Sequence, residues 1–454
     1  MKLPARRCSC CPVFIQSWLD RMIASPLLSR LAVGTFWSLA GLVASRLCGL
    51  LASVLIARVL GGRGFGELSI IQGTVGMFSV FAGFGLGMTV TKHIAEFRHG
   101  DPERAGRLIG LCSSVSVLTG ALMSMLLVFL SDHIASRVLS APHLSGLLSI
   151  SAPLLLLGAW SGVQVGALSG LEAFKRIAKI NLATGLLNFP LMVGGVLLGG
   201  LTGAVVGLLF VGLAGCLIGS WVLRSELRAA GINVRYSGFH KDAWILWKFT
   251  LPSLLSGLMV SPVAWACSAM LANQPDGYSE LGVFNAANQW RLLSLSVPAI
   301  LMQVTLPIMA GGGAGISGKD RRNQLLHTLK INFAIGSLLM VVFSLFSPFI
   351  MGWYGDGFRG RWGVFIVAQA VTFMQALQSP VVAYWTAQGE MWENFMANAL
   401  WGGAVIFFSW ICIGKGALGL MYGLFGGFAI FGVLILIKLQ SVLRKDNAVS
   451  IMRI

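Results

Sequence analysis

Negative charge is what this chain has least of. Of its 454 residues only 16 are Asp or Glu, charged residues of both signs make up 11%, and every carboxylate stands outside the long apolar segments or at their ends. That scarcity excludes an ordinary globular domain, in which about a quarter of residues are charged. The hydrophobic share is 56% and the mean hydropathy is +0.80. Lipid is therefore the solvent for most of the surface, and the chain reads as an all-α, polytopic membrane protein. Catalytic motifs are missing too: there is no G-x-S-x-G, no Walker loop and no H-E-x-x-H. His93, His99, His133, His143, His240 and His327 all fall in loops or at span ends. The expectation is a protein that is not an enzyme and needs no cofactor.

Cysteine offers little more. Cys48, Cys112, Cys216, Cys267 and Cys412 stand singly within apolar segments, where the residue behaves as a small hydrophobe. Cys8, Cys10 and Cys11 cluster in a basic leader, but no second cluster or neighbouring histidine completes a four-ligand metal site. A cleavable signal peptide is not evident. Phe14, Ile15, Trp18, Leu19, Met22 and Ile23 instead recur at helical spacing, as in a helix lying on the membrane surface.

Positive charge is plentiful, at +17 net, yet it falls in short clusters between apolar spans rather than in a basic–aromatic run. That pattern argues against nucleic acid as a partner. Windows of about twenty apolar residues lie near 34–56, 68–90, 108–130, 147–169, 180–200 and 201–223, then near 250–272, 283–307, 328–350, 363–385, 396–414 and 417–439. An offset of about 216 carries the first six onto the second six, with Gly66 falling on Gly282. Six crossings per half is even, so both halves insert the same way up. Two six-helix bundles with a central cavity between them are expected. The expected divisions are a leader over 1–31, one bundle over 32–227 and a second over 228–454.

With the N-terminus inside, 23 Lys and Arg lie on inner segments and 6 on outer loops. That asymmetry puts both termini in the cytoplasm.

Two arginines break the apolar rule. Arg46 stands near the middle of the first span, and Arg291 eight residues beyond the start of the eighth. A charge at mid-bilayer costs roughly 2.5–3.5 kcal/mol on the insertion scale, so such residues face a partner or a wet cavity. No acid shares their depth, so the missing anion is expected to arrive with a substrate. Guanidinium suits phosphate because its planar fork gives parallel charge-assisted hydrogen bonds and keeps its proton. The competing reading is that each arginine binds helix carbonyls or snorkels to an interface. Ser38 shares a helix face with Arg46; Asn285, Asn288 and Gln289 adjoin Arg291; Lys248 stands at the inner end of span seven. Gln164 in span four and Gln375 in span ten complete the candidate cavity residues, with Gln378, Asn188 and Asn398 among the further amides. Amides of this kind either bind sugar hydroxyls or serve as interhelical bonds.

Ser45-Arg46-Leu47-Cys48-Gly49, Ala57-Arg58-Val59-Leu60-Gly61 and Gly64-Phe65-Gly66 resemble the opening signature of the polysaccharide flippases of the multidrug/oligosaccharidyl-lipid/polysaccharide exporter superfamily. Leu251-Pro252 and Leu281-Gly282-Val283-Phe284-Asn285-Ala286-Ala287 resemble the openings of the same family's spans seven and eight. The resemblance implies a MATE-like, V-shaped, alternating-access protein of the bacterial inner membrane. Its substrate would be an undecaprenyl-pyrophosphate-linked oligosaccharide, with membrane lipids around it and a polymerase and glycosyltransferases as pathway companions. It also implies that Arg46 and Arg291 line the cavity. A second span-one arginine found in the related peptidoglycan-precursor flippases is absent, since Ala52 and Ser53 stand there. Two other readings stay open. A cation-coupled multidrug exporter would want an intramembrane acid, and a membrane glycan polymerase or acyltransferase would want a large outer loop.

Overall fold

A computed structural model describes the backbone of residues 26–83, 85–98, 100–236, 260–310, 318–387 and 391–451. Side chains are described over 45–83, 85–98, 100–236, 260–298, 326–382 and 395–437. Eleven long helices carry the fold: α1 (Pro26–Gly83), α2 (Leu86–Phe97), α3 (Pro102–His133), α4 (Pro153–Gly170), α5 (Phe174–Ala229), α6 (Ser261–Ala272), α7 (Gly277–Ala310), α8 (Gly318–Leu345), α9 (Trp362–Ala387), α10 (Met391–Cys412) and α11 (Ala417–Ile451). No strand occurs among the described residues. In lipid this is the natural outcome, because a helix satisfies its own backbone polar groups and a lone strand cannot.

Two of these rods are helical hairpins. Gly61 interrupts α1 at φ 71°, a left-handed conformation that costs glycine little and other residues more. Gly49 and Gln72, and likewise Ser53 and Leu68, then line one cavity, so the chain doubles back at this glycine. Gly199 and Gly200, the latter at φ 55°, interrupt α5. Beyond them Gly203 returns against Gly195, close enough that a Cβ on either would meet the other's carbonyl. The expected break between spans five and six falls at these residues. With each hairpin counted as two crossings, and α2 and the short helix Ser145–Ser151 as extensions of their neighbours, the described helices account for twelve crossings, α6 being the described part of the seventh.

The second span departs from expectation. It ends at Gly83, and after Gly85 at φ 67° the chain resumes as α2. The fourth breaks at Ala152 before Pro153, where the proline ring is tolerated only in a first helical turn. α3 starts on a cap, with the Asp101 side chain accepting from the Arg104 amide at 2.9 Å and Pro102 in the first turn. The leader helix, the Cys8–Cys10–Cys11 cluster and the start of span seven lie outside the described residues.

The two halves meet chiefly through α1 packing on α6 and α7. Their shared apolar core reaches the end opposite the described chain termini, where the turn of α1 and residues 134–144, 273–277, 354–361 and 413–416 form a rim. There Phe65 packs on Tyr354 and Phe358, and Trp290 donates to the Tyr354 hydroxyl at 3.1 Å. Arg58 Nε donates to the Trp353 carbonyl at 2.6 Å, Tyr278 to the Leu139 carbonyl at 2.7 Å, and Ser140 to Asn273 Oδ1 at 2.6 Å. A second described core, around Leu86, Ile94, Leu108, Ile177 and Leu227, belongs to the first half alone.

At the rim the helices cross backbone to backbone. A Cβ added to Gly66 would strike the Tyr278 carbonyl, and one on Gly282 the Gly62 carbonyl. Gly66→Val is expected to cost about 1–3 kcal/mol in overpacking strain and to lower the melting temperature of the purified protein. Gly146→Ala, where nothing lies within 4 Å, should melt like the parent. Equal melting of the two variants would show the crossing to be loose.

Candidate functional site

Below the rim, α1, α6, α7, α9, α10 and α11 enclose a cavity of about 480 Å³. Its polar wall holds Gln72, Asn285, Asn288, Arg291, Gln375 and Asn398. A neighbouring cavity of about 270 Å³ opens between α1, α5 and α7 and is lined by Arg46, Gly49, Ser53, Asn188, Asn285 and Gln289 along with apolar residues. Gln72 and Asn285 belong to both walls. Helical spacing explains the division on α7. Asn288 and Arg291 follow Asn285 by three and six on one side, while Gln289 and Leu292 turn toward the other cavity.

Arg291 is held by neutral partners. Its Nε donates to Asn288 Oδ1 and its Nη1 to Gln375 Oε1, each at 2.8 Å. Two amide oxygens orient a guanidinium without cancelling its charge, and Nη2 has no hydrogen bond among the described residues. Arg46 donates from Nη1 to the Leu292 carbonyl at 3.0 Å, reaching from the first half to the second. A helix carbonyl is one of the partners the sequence left open for it, yet the side chain is exposed and stands on the wall of the smaller cavity. Among the described residues neither arginine has an ion pair, and no Asp or Glu lines either cavity. Glu67 is turned to the rim, accepting from Arg63 at 3.3 Å and His143 at 3.1 Å. Glu280 is bound by Arg361 and by the Ala417 amide.

Of the residues singled out in the sequence, Arg291, Asn288, Asn285 and Gln375 come together in one cavity, and Arg46, Gln289 and Asn285 in the other. Gln164 does not join them. It is 4% exposed and donates to the Cys216 carbonyl at 3.2 Å and to Ser220 Oγ at 2.7 Å, tying α4 to α5. A lone amide pattern in an apolar helix does not distinguish these two uses, because both place the amide on a buried face. Gln378 is spent the same way, on the Phe428 carbonyl at 2.7 Å. The Ser38 side chain and all of Lys248 lie outside the described residues.

Sequence reasoning passed over Gln72, Ser69, Trp265 and Ser268, all on the wall of the larger cavity. The Trp265 indole is fixed by donating to Thr74 Oγ1 at 2.9 Å. Gln72 had a signal, a local internal match that an offset of 216 hides: Gly64-Phe65-Gly66-Glu67-Leu68 followed by Gln72 parallels Gly277-Tyr278-Ser279-Glu280-Leu281 followed by Asn285, at an offset of 213.

Two helical bundles around a polar cleft define the fold class. The fold matches an inward-facing multidrug resistance MATE family transporter of the MOP superfamily with a TM-score of 0.74 at 17% identity, covering 89% of this chain and 95% of that one. The chain belongs to the polysaccharide biosynthesis protein family, whose model matches residues 31–312. It is similar to the EPS I polysaccharide export inner membrane protein EpsE. In Ralstonia nicotianae the likeness is 23% over 367 residues, covering 79% of this chain and 81% of the relative. In Ralstonia solanacearum it is 28% over 173 residues, and the chain there spans only 39% of the relative's length. It is also similar to the lipid III flippase of Escherichia coli, at 24% over 264 residues, 57% of this chain and 62% of that protein.

The reassignment of Gln164 has a measurable consequence. Gln164→Leu is expected to remove two interhelical bonds of about 0.6 kcal/mol each, lowering the melting temperature slightly while leaving transport at the parental rate. A loss of transport with unchanged melting would return Gln164 to the pathway.

Proposed function

We propose that this protein flips an undecaprenyl-pyrophosphate-linked oligosaccharide across the bacterial inner membrane by alternating access. The observation that carries the reading is a pair of guanidiniums on the walls of adjoining polar cavities, with neutral partners and no carboxylate in either wall among the described residues. Such a cleft is unfavourable when empty of anions and favourable when a pyrophosphate enters, because charge-assisted hydrogen bonds strengthen where water is sparse. The names of the relatives, a polysaccharide exporter and a lipid III flippase, support a lipid-borne glycan as cargo.

In this reading residues 32–227 and 228–454 are the two moving bundles, and residues 1–31 form a surface leader. Arg46, Arg291, Asn285, Asn288, Gln289 and Gln375 contact the substrate, with Ser38 and Lys248 placed along its entry. The 23-to-6 charge asymmetry supports cytoplasmic termini and a rim that faces outward. The protein acts without a cofactor and catalyses no covalent step. Its companions are membrane lipids and the glycosyltransferases and polymerase of the same pathway. A cation-coupled multidrug exporter needs an acid in the cleft to bind the cation, and neither cavity wall has one among the described residues.

Arg46→Ala and Arg291→Ala are each expected to reduce surface glycan export about tenfold or more, the scale of losing a charge-assisted hydrogen bond of about 1.5–3 kcal/mol. Lysine at either position should retain part of the activity, and membrane levels of all four variants should match the parent. Parental export by both alanine variants would remove the guanidiniums from the mechanism.

A further inference from the structure

Two carboxylates at the rim, Glu67 and Glu280, and two amides in the cleft, Gln72 and Asn285, follow one internal repeat. Glu67 and Gln72 in α1 stand five residues apart, as do Glu280 and Asn285 in α7, within segments that match at an offset of 213. Each glutamate is tied into its own half: Glu67 by Arg63 and by His143 of the 134–144 connection, Glu280 by Arg361 and by the amide of Ala417. The two helices touch at Gly66 and Gly282, where Cβ atoms have no room. From Gly66, Gln72 lies about 9 Å along the helix, at about 1.5 Å per residue. The two amides therefore hang from opposite bundles, related by the repeat, on the shared wall of the two cavities. Neither has a hydrogen-bond partner among the described residues. The arginines do not follow the repeat, since one comes from the first crossing and the other from the eighth.

Resting on the flippase reading above, we infer that Gln72 and Asn285 form a twofold-related sugar-binding pair, and that they contact the hydroxyl groups of the glycan next to the pyrophosphate. The chemistry separates their role from that of the arginines. A carboxamide presents an acceptor oxygen beside its donor N–H groups, which repels an anion at one end and matches a hydroxyl, itself both donor and acceptor. A guanidinium only donates and prefers phosphate oxygens. A glycan seated between the amides touches both halves at once, so the contact exists while the rim is closed and breaks when the bundles part.

The test uses the whole protein in lipid nanodiscs and two probes, undecaprenyl pyrophosphate and undecaprenyl pyrophosphate bearing one N-acetylglucosamine. The Gln72→Leu/Asn285→Leu double variant should bind the sugar-bearing lipid about thirtyfold more weakly, from two hydrogen bonds worth about 1 kcal/mol each. Its affinity for undecaprenyl pyrophosphate should stay within about twofold of the parent, a difference of only a few tenths of a kcal/mol. The exchanged variant, Gln72→Asn with Asn285→Gln, keeps both carboxamides and should retain most sugar-dependent affinity, which guards against a mere folding defect. Undiminished binding of the sugar-bearing lipid by the leucine variant, or an equal loss for both probes, overturns the sugar-binding pair. If the parent protein binds neither probe, the flippase reading fails first and takes the pair with it.

Discussion

The structure is organised around positive charge held inside an apolar medium with no counter-ion among the described residues. Keeping Arg46 and Arg291 at depth is expensive, and the fold meets part of that expense with neutral oxygens: a helix carbonyl for one, two amides for the other. These partners fix direction without neutralising. The remaining electrostatic cost sets the requirement for a wetted cleft, and the cleft in turn requires two bundles that do not close on each other along their whole length.

The rim supplies that partial closure. Aromatic packing of Phe65, Tyr354, Phe358 and Trp290 and a set of hydrogen bonds between connections unite the halves at the rim. Glycine is essential here for a reason distinct from its role in turns. Gly66 and Gly282 are helical and unstrained, and what they provide is the absence of a side chain where two backbones touch. Close approach of this kind is how membrane helices gain packing energy when no hydrophobic effect drives them together.

Much of this was legible in the chain itself. Window length and charge asymmetry were enough for twelve crossings, because lipid permits few alternatives to a helix of about twenty apolar residues. The break of the second span at Gly83–Gly85 was not foreseen, since isolated glycines are common in membrane helices and only a positive φ marks the one that stops a helix. Among the cavity residues, Arg291, Asn288 and Gln375 stood out because charge and amides are rare at depth. Gln164 misled for the same reason: an amide that joins two helices and one that faces water leave the same trace in sequence. Gln72, inside the second apolar window, was passed over because a lone glutamine there has no second amide at helical spacing, and only its match with Asn285 singles it out.

The glycine crossing near the rim also sets a mechanical advantage. From Gly282 to the far end of α7 at Ala310 is 28 residues, or about 42 Å of helix at about 1.5 Å per residue. With the crossing as fulcrum, a tilt of roughly 10° would swing the distant tip through about 7 Å, while the lever moves only about 1 Å at Asn285, three residues away. Wide gating at one surface is thus compatible with nearly stationary chemistry at the other.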